Sequence, residues 1–393
     1  MSTAPTLLVG TTKGAFLLAK GQDGWSAEGP FCNGWPINHM AGDAKTGTIW
    51  AGGGNEWFGA GVWRRNGRAN GSANGSGSGD GWELAKLAGG QMDDWMSNDP
   101  ELAARLGMTA SGPAPYTGQL KAIWSLKPAD GTLYAGGKPA ALYASKDGGE
   151  TWEEIESLRN HPSADDWMPG AAGLTLHTIV ADPADPKRMW LAISAAGVFA
   201  TEDGGETWER RNRRSNAPAT PSSHPAAGDG QETGHCVHNM GRAAGGGDVL
   251  YQQNHHGVYR SRDGGRSWDE ITEGLPSTFG FPIGLHPSNP ETIWTLPLNG
   301  DTEGRYPPDA KAAVWRSRNA GESWEACRDG LPQQGCFFTV LRQAMAVDAA
   351  EPAGVFFGTN SGSVFGSFDE GDSWSELARH LPTVLCVEVM PRA

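Results

Sequence analysis

Histidine makes the first chemical suggestion in this chain. Of its 10 histidines, His235 and His238 stand three apart, His255 and His256 are adjacent, and His39, His161 and His177 occur singly. Imidazoles grouped in this way can hold a divalent metal, which in the case of zinc wants three or four N, S or O donors in a tetrahedron, or can exchange protons near neutral pH. Carboxylates form the second group. Glu56, Asp93, Asp94, Asp165, Asp166, Asp301 and Asp309 lie in stretches that read as loops, and two carboxylates facing a groove are the usual equipment for glycoside hydrolysis. A nucleophilic serine or cysteine has no supporting motif, since Gly-x-Ser-x-Gly is absent and Cys236 reads as a small residue beside histidines.

These groups need a scaffold, and the chain spells one out by repetition. Ser145-Lys-Asp-Gly-Gly-Glu-Thr-Trp152 returns at Thr201–Trp208, Ser261–Trp268, Ser317–Trp324 and Ser367–Trp374. Recurrence at such spacing marks a repeat architecture. Each copy reads as a hairpin turn: Asp147, Asp203, Asp263 and Asp369 can accept hydrogen bonds from their own turn, and Asn319 does the same without charge. Asp23-Gly-Trp25 and Asp80-Gly-Trp82 are weaker copies where the spacing asks for them, which brings the units to seven.

The repeated segment resembles the Asp-box, or bacterial neuraminidase repeat, S/T-x-D-x-G-x-S/T-W. The stretches Asn55-Glu-Trp-Phe, Gly234-His-Cys-Val-His-Asn239 and Gln253-Asn-His-His-Gly257 are similar to bacterial sialidase-like, WD40/YVTN/BNR-like repeat proteins. The resemblance implies a β-propeller in which the acidic turn is structural, as it is in sialidases, xyloglucanases, sortilin-type receptors and photosystem assembly factors. It does not imply one activity, because fold and function separate. A sialidase would add an arginine triad, a tyrosine nucleophile and a Phe-Arg-Ile-Pro segment near the N-terminus. That segment is missing, and only Tyr116 and Tyr306 lie outside strand-like runs.

Residues 176–210 show one unit plainly, with runs at 176–181, 189–194, 197–201 and 207–210 that we label strands a, b, c and d. The expected fold is all-β: a seven-bladed β-propeller of four-stranded antiparallel blades in a single domain over 1–393. Blades two to seven fall at about 37–87, 120–155, 176–210, 235–271, 279–325 and 339–377. Blade one has no strand a before residue 6, whereas 383–390 supplies a strand a with nothing after it. Joining 6–28 to 383–390 closes the ring and removes an exposed edge.

In such a meander the a–b and c–d turns share one face, and the b–c turns and blade-to-blade crossovers share the other. The acidic turns are all c–d turns. Most long insertions, at 88–119, 157–175, 211–234, 54–60 and 297–309, fall on the opposite face, where a rigid scaffold can present binding groups. The glycine-rich insertion at 66–79 is the exception and reads as a flexible loop tip.

Starts of strand a and the b–c turns bring a set of candidates to that opposite rim: His39, Asn55, Glu56, Trp57, Trp124, His177, His235, His238, Asn254, His255, His256, Asn299, Arg305 and Arg342. Titratable groups converging on a concave mouth make a ligand site. For a metal, the candidate ligands are His177, His238 and His255. Since i and i+3 point to opposite faces of a strand, His235 and His238 should offer the channel one imidazole between them. For catalysis the candidates are Glu56, Asp301 and Tyr306.

Composition narrows the partners. Charge is 31 minus 45, or −14, which argues against nucleic acid and anionic membrane. With 17 tryptophans the chain must build a core. The N-terminus shows no signal-peptide pattern and the five cysteines are scattered, so we expect a reduced, cytoplasmic protein, and a monomer only because propellers commonly are. The main expectation is a propeller that binds a small polar molecule, a saccharide or a protein segment at a histidine-rich mouth. The alternative is a glycoside hydrolase, and the third reading is an enzyme using a divalent metal held by histidines from several blades.

Overall fold

A computed structural model describes residues 4–67, 81–107, 114–215, 232–245 and 247–391. Its strands form seven four-stranded antiparallel sheets, six of them built from consecutive strands. The seventh joins the chain ends: Val384–Val389 pairs with Leu7–Thr11, setting Leu7 against Val389 and Thr11 against Val384. The ring expected from the two terminal fragments is therefore closed.

The sequence pattern explains why each element forms. Inner strands such as Met189–Ser194, MWLAIS, are buried throughout because sheets pack against both of their faces. Outermost strands, such as Glu153–Glu154 and Glu209–Arg210, are two residues long and charged, which leaves little edge for another chain to pair with. The core lies between blades, where Trp63, Trp82, Trp190, Trp268 and Trp294 are fully buried, each contributing roughly 3 kcal/mol of apolar burial.

The acidic turns are joints between blades. Asp147 accepts from Ser145 Oγ at 2.7 Å, from the Glu150 N–H at 2.9 Å, and from Thr151 N–H and Oγ1 at 3.0 and 2.5 Å. Gly149, at φ +101°, adopts the left-handed backbone this turn requires. Asp203, Asp263 and Asp369 repeat the network, and Asn319 preserves it by donating from Nδ2 to Ser323 Oγ at 2.9 Å. The turns also receive indole hydrogen bonds from the preceding blade: Trp50 Nε1 to the Gly148 carbonyl, Trp190 Nε1 to Gly264 and Trp294 Nε1 to Glu370, at 2.8, 2.8 and 2.9 Å. Asp23 sits in a hairpin turn without this network, and Asp80 lies outside the described residues.

The crossovers read as loops hold short helices, Gln91–Asn98, Pro100–Arg105 and Glu156–Arg159. Caps rather than a long apolar period stabilise the first two. Asp93 accepts from the Gly90 N–H at 2.7 Å and Asp99 from the Leu102 N–H at 3.1 Å, with Pro100 opening the second helix. Among the described residues, no helix is long and apolar enough to cross a membrane.

Candidate functional site

Strand a lines the axis of the ring, and in most blades it carries a β-bulge. Register shifts occur between Ile37 and His39, Ile123 and Ser125, Leu176 and Thr178, Val237 and Asn239, and Gly280 and Ile283. A bulge leaves a backbone carbonyl without its ladder partner and turns a side chain out of the regular alternation. The previous blade supplies the missing donor. Asn38 Nδ2 donates to the Ile123 carbonyl at 2.8 Å, Ser125 Oγ to Leu176 at 2.9 Å, His177 Nε2 to Val237 at 3.0 Å and His238 Nδ1 to Gly280 at 2.6 Å.

This ladder divides the predicted rim into separate places. His177 has both ring nitrogens engaged, the second with Thr178 Oγ1 at 2.9 Å, and it does not join the group of possible metal ligands found among the described residues. Burial, aided by the charge of Arg342, drives its pKa well below the ordinary histidine value. His39 binds Glu388 at 3.2 Å through Nε2 and accepts from the Leu126 N–H at 3.0 Å through Nδ1. His39 and His177 line a channel cavity of about 580 Å3 that also reaches Gly42, Ala181 and Ala243, at the far ends of strand a. It opens toward the acidic turns, so these two histidines do not join the mouth expected of them.

A second cavity, about 330 Å3, holds Asn55, Glu56, Trp124, Lys121 and Lys138. Glu56 lies 3.4 Å from Lys121, and Lys138 sits 5.8 Å above the Trp124 ring. Trp57 is largely exposed beside it. His235 points away from the axis and pairs with Glu232 at 2.7 Å. Asn254 is fully buried and ties the Gly234 carbonyl at 2.5 Å, a positioning role for the turn that carries His255 and His256. The backbone N–H of Asn299 donates to the Tyr306 carbonyl, and the Tyr306 ring packs on Phe337.

The remaining candidates meet in a third cavity of about 280 Å3 on the insertion-bearing face. It is lined by Cys236, His238, His255, Phe279, Phe281, Asp301, Arg305 and Arg342, with Ala195 and the segment 168–172 at its edge. Cys236 Sγ lies 3.6 Å from His238 Nε2, the His238 and His255 rings are 5.4 Å apart, and His255 Nε2 is 3.8 Å from Asp301 Oδ2. The ring of His256 packs 5.0 Å from that of His255. Sequence reasoning missed Cys236, Phe279 and Phe281. The spacing of Cys236 and His238, i and i+2, is that of two residues on one face of a regular strand and was the available signal.

Charge in this pocket is uneven. Arg305 donates to Asp301 at 2.6 Å, so those two charges offset each other. Arg342 stands 5.2 Å over the Phe281 ring and has no carboxylate within ion-pair distance among the described residues. Its Nε is buried without a partner. Burial pushes Arg342 down to about 10, still protonated at neutral pH. Burial also raises Cys236 and, with the charge of Arg342, lowers His238 well below the usual value, so thiol and imidazole are both neutral. Arg305 and Ala195 hold left-handed backbone at φ +56° and +63°, strain of about 1 kcal/mol or more apiece that gathers at functional pockets.

No family model matches the chain. An oligoxyloglucan-reducing end-specific xyloglucanase from Emericella nidulans is 23% identical over 220 residues, covering 49% of this chain and 25% of that protein. Among solved structures, an ancestral GH74 enzyme superimposes with a TM-score of 0.55 at 12% identity, over 95% of this chain and 40% of that one. YCF48 from Cyanidioschyzon merolae gives 0.50 at 14% identity, over 86% and 84%. The structural likenesses show the propeller fold, and the chain spans about a quarter of the length of the xyloglucanase it matches. Its similar proteins thus include glycoside hydrolases of the propeller type.

Proposed function

We propose that this chain is a glycoside-hydrolase-like propeller whose third cavity takes a small saccharide bearing a carboxylate or phosphate. Arg342 carries the reading. A guanidinium held in a recessed pocket without a protein counter-ion favours an anionic ligand, and its planar fork suits carboxylate and phosphate alike. The 220-residue similarity to a xyloglucanase supports the saccharide class. Phe279 and Phe281 add apolar surface for the face of a sugar ring. Asp301 is the acid of this cavity that would move the proton in a hydrolytic step.

A second reading, binding without turnover, is favoured by one observation. The cavity proposed for the saccharide is lined by a single acid, Asp301, whereas two-carboxylate hydrolysis needs a pair. Calorimetric titration with glucuronate-bearing, phosphate-bearing and neutral oligosaccharides tests the proposal. Binding confined to the anionic sugars supports it, and equal binding of neutral xyloglucan fragments overturns it. Release of aryl alcohol from an anionic aryl glycoside, abolished in Asp301→Asn, separates hydrolysis from binding alone.

A further inference from the structure

Blade five brings three metal-ligating side chains together from two adjacent strands. Cys236 immediately precedes strand a and His238 is the residue in its bulge, and the two side chains meet at 3.6 Å. His255 follows strand b, and its backbone N–H donates to the Cys236 carbonyl at 3.0 Å, which pins the two segments side by side. One donor atom from each of Cys236, His238 and His255 lies within 4.8 Å of the others. Tetrahedral zinc separates its ligand atoms by roughly 3.3–3.8 Å, given bonds of about 2.0–2.3 Å, and the 3.6 Å between Cys236 Sγ and His238 Nε2 already falls in that range. Small side-chain rotations would bring in His255.

We propose that Cys236, His238 and His255 form a divalent metal site suited to zinc, with three protein donors and a fourth position open to the pocket. Neutral imidazole nitrogens and one sulfur are the donor set zinc prefers, and three protein ligands with an open position are the arrangement of catalytic rather than structural sites. The surroundings fit. His238 gives its Nδ1 proton to the Gly280 carbonyl, which leaves Nε2 as the lone-pair nitrogen and fixes the ring, as metal-bound histidines usually require. Asp301, held by Arg305 at 2.6 Å, places a carboxylate 3.8 Å from His255 Nε2.

Binding a dication would release the thiol proton and leave one net positive charge beside Arg342. The fourth ligand would then be an anion, hydroxide or the acidic group of a substrate. The site shares its pocket with the proposed saccharide but does not depend on that reading.

The test uses the full chain, stripped with chelator and titrated with zinc alone and with cobalt alone. Expected are about one zinc per chain, and for cobalt the intense visible bands of a four-coordinate ion with a thiolate charge-transfer band in the near ultraviolet. Cys236→Ala and His255→Ala should each lower zinc affinity about 100-fold or more with the melting transition of the metal-free protein unchanged. His238 is left intact because it also holds Gly280. Arg342→Gln should keep the metal and lose the saccharide, so the two proposals fail separately. A wild-type chain that retains no zinc after desalting, or zinc held equally by Cys236→Ala, overturns the site. Should a variant not fold, the wild-type cobalt spectrum decides by the presence or absence of the thiolate band.

Discussion

The Nδ1 atom of His238 lies 2.6 Å from the carbonyl oxygen of Gly280, so a residue of blade five closes a gap in the backbone ladder of blade six. His177 does the same one blade earlier, on Val237. The difference is in the other nitrogen, which in His177 is spent on Thr178 and in His238 faces Cys236. Two histidines with one scaffold task thus differ in whether chemistry is left over.

His177 should therefore matter for stability and not for ligands. His177→Ala removes a buried ring and strips the Val237 carbonyl of its donor, at about 3 kcal/mol, read as a lowered urea midpoint. Because its folded pKa is depressed, the unfolded chain binds the extra proton. The contribution of His177 is complete above pH of about 6.5, the unfolded value, and is lost as pH falls below it. His177→Gln should flatten this part of the profile, and an unchanged slope would count against it.

Arg342→Gln should weaken binding of a carboxylated or phosphorylated sugar roughly 10- to 100-fold, the loss expected for a charged hydrogen bond. Folding should be little affected, since among the described residues the side chain has no ionic partner to strand. Calorimetry on the variant measures it.

The acidic turns give a second, lower pH step. Asp263 is lowered because its bonds from Ser267 and Ser261 outweigh burial, which acts the other way. Its stabilisation is present above the unfolded value of about 3.9 and disappears as pH drops through the lower folded value. Asp263→Ala should cost about 1–2 kcal/mol at neutral pH. Asp263→Asn, imitating Asn319, should cost less and be insensitive to acid. Thermal midpoints of the three proteins between pH 3 and 7 provide the comparison, with that interval set around the same reference value of about 3.9.

Ring closure can be cut directly. Ending the chain after Pro382 removes the strand Val384–Val389, including the fully buried Val384, Cys386 and Val387, and bares Leu7, Leu8 and Val9. The expected loss is on the order of 5 kcal/mol or more, seen as rapid proteolysis and a broadened denaturant transition. A truncated chain with the wild-type midpoint would mean that closure is dispensable.

Repeat number, blade shape and the pairing of the two tails were all present in the amino-acid order, because each depends on local chemistry: a turn residue that bonds to its own backbone, a glycine at positive φ, and apolar runs of strand length. Grouping of the histidines was not. A strand pattern says that His235 and His238 diverge, but only the assembled ring tells which one faces the axis. The bulges of strand a, which take their missing donors from the neighbouring blade, then decide that His39 and His177 are consumed as ties. Cys236 becomes a partner of His238 and His255 because a b–c turn from the next strand folds over it, a contact between residues nearly twenty positions apart that no single stretch encodes.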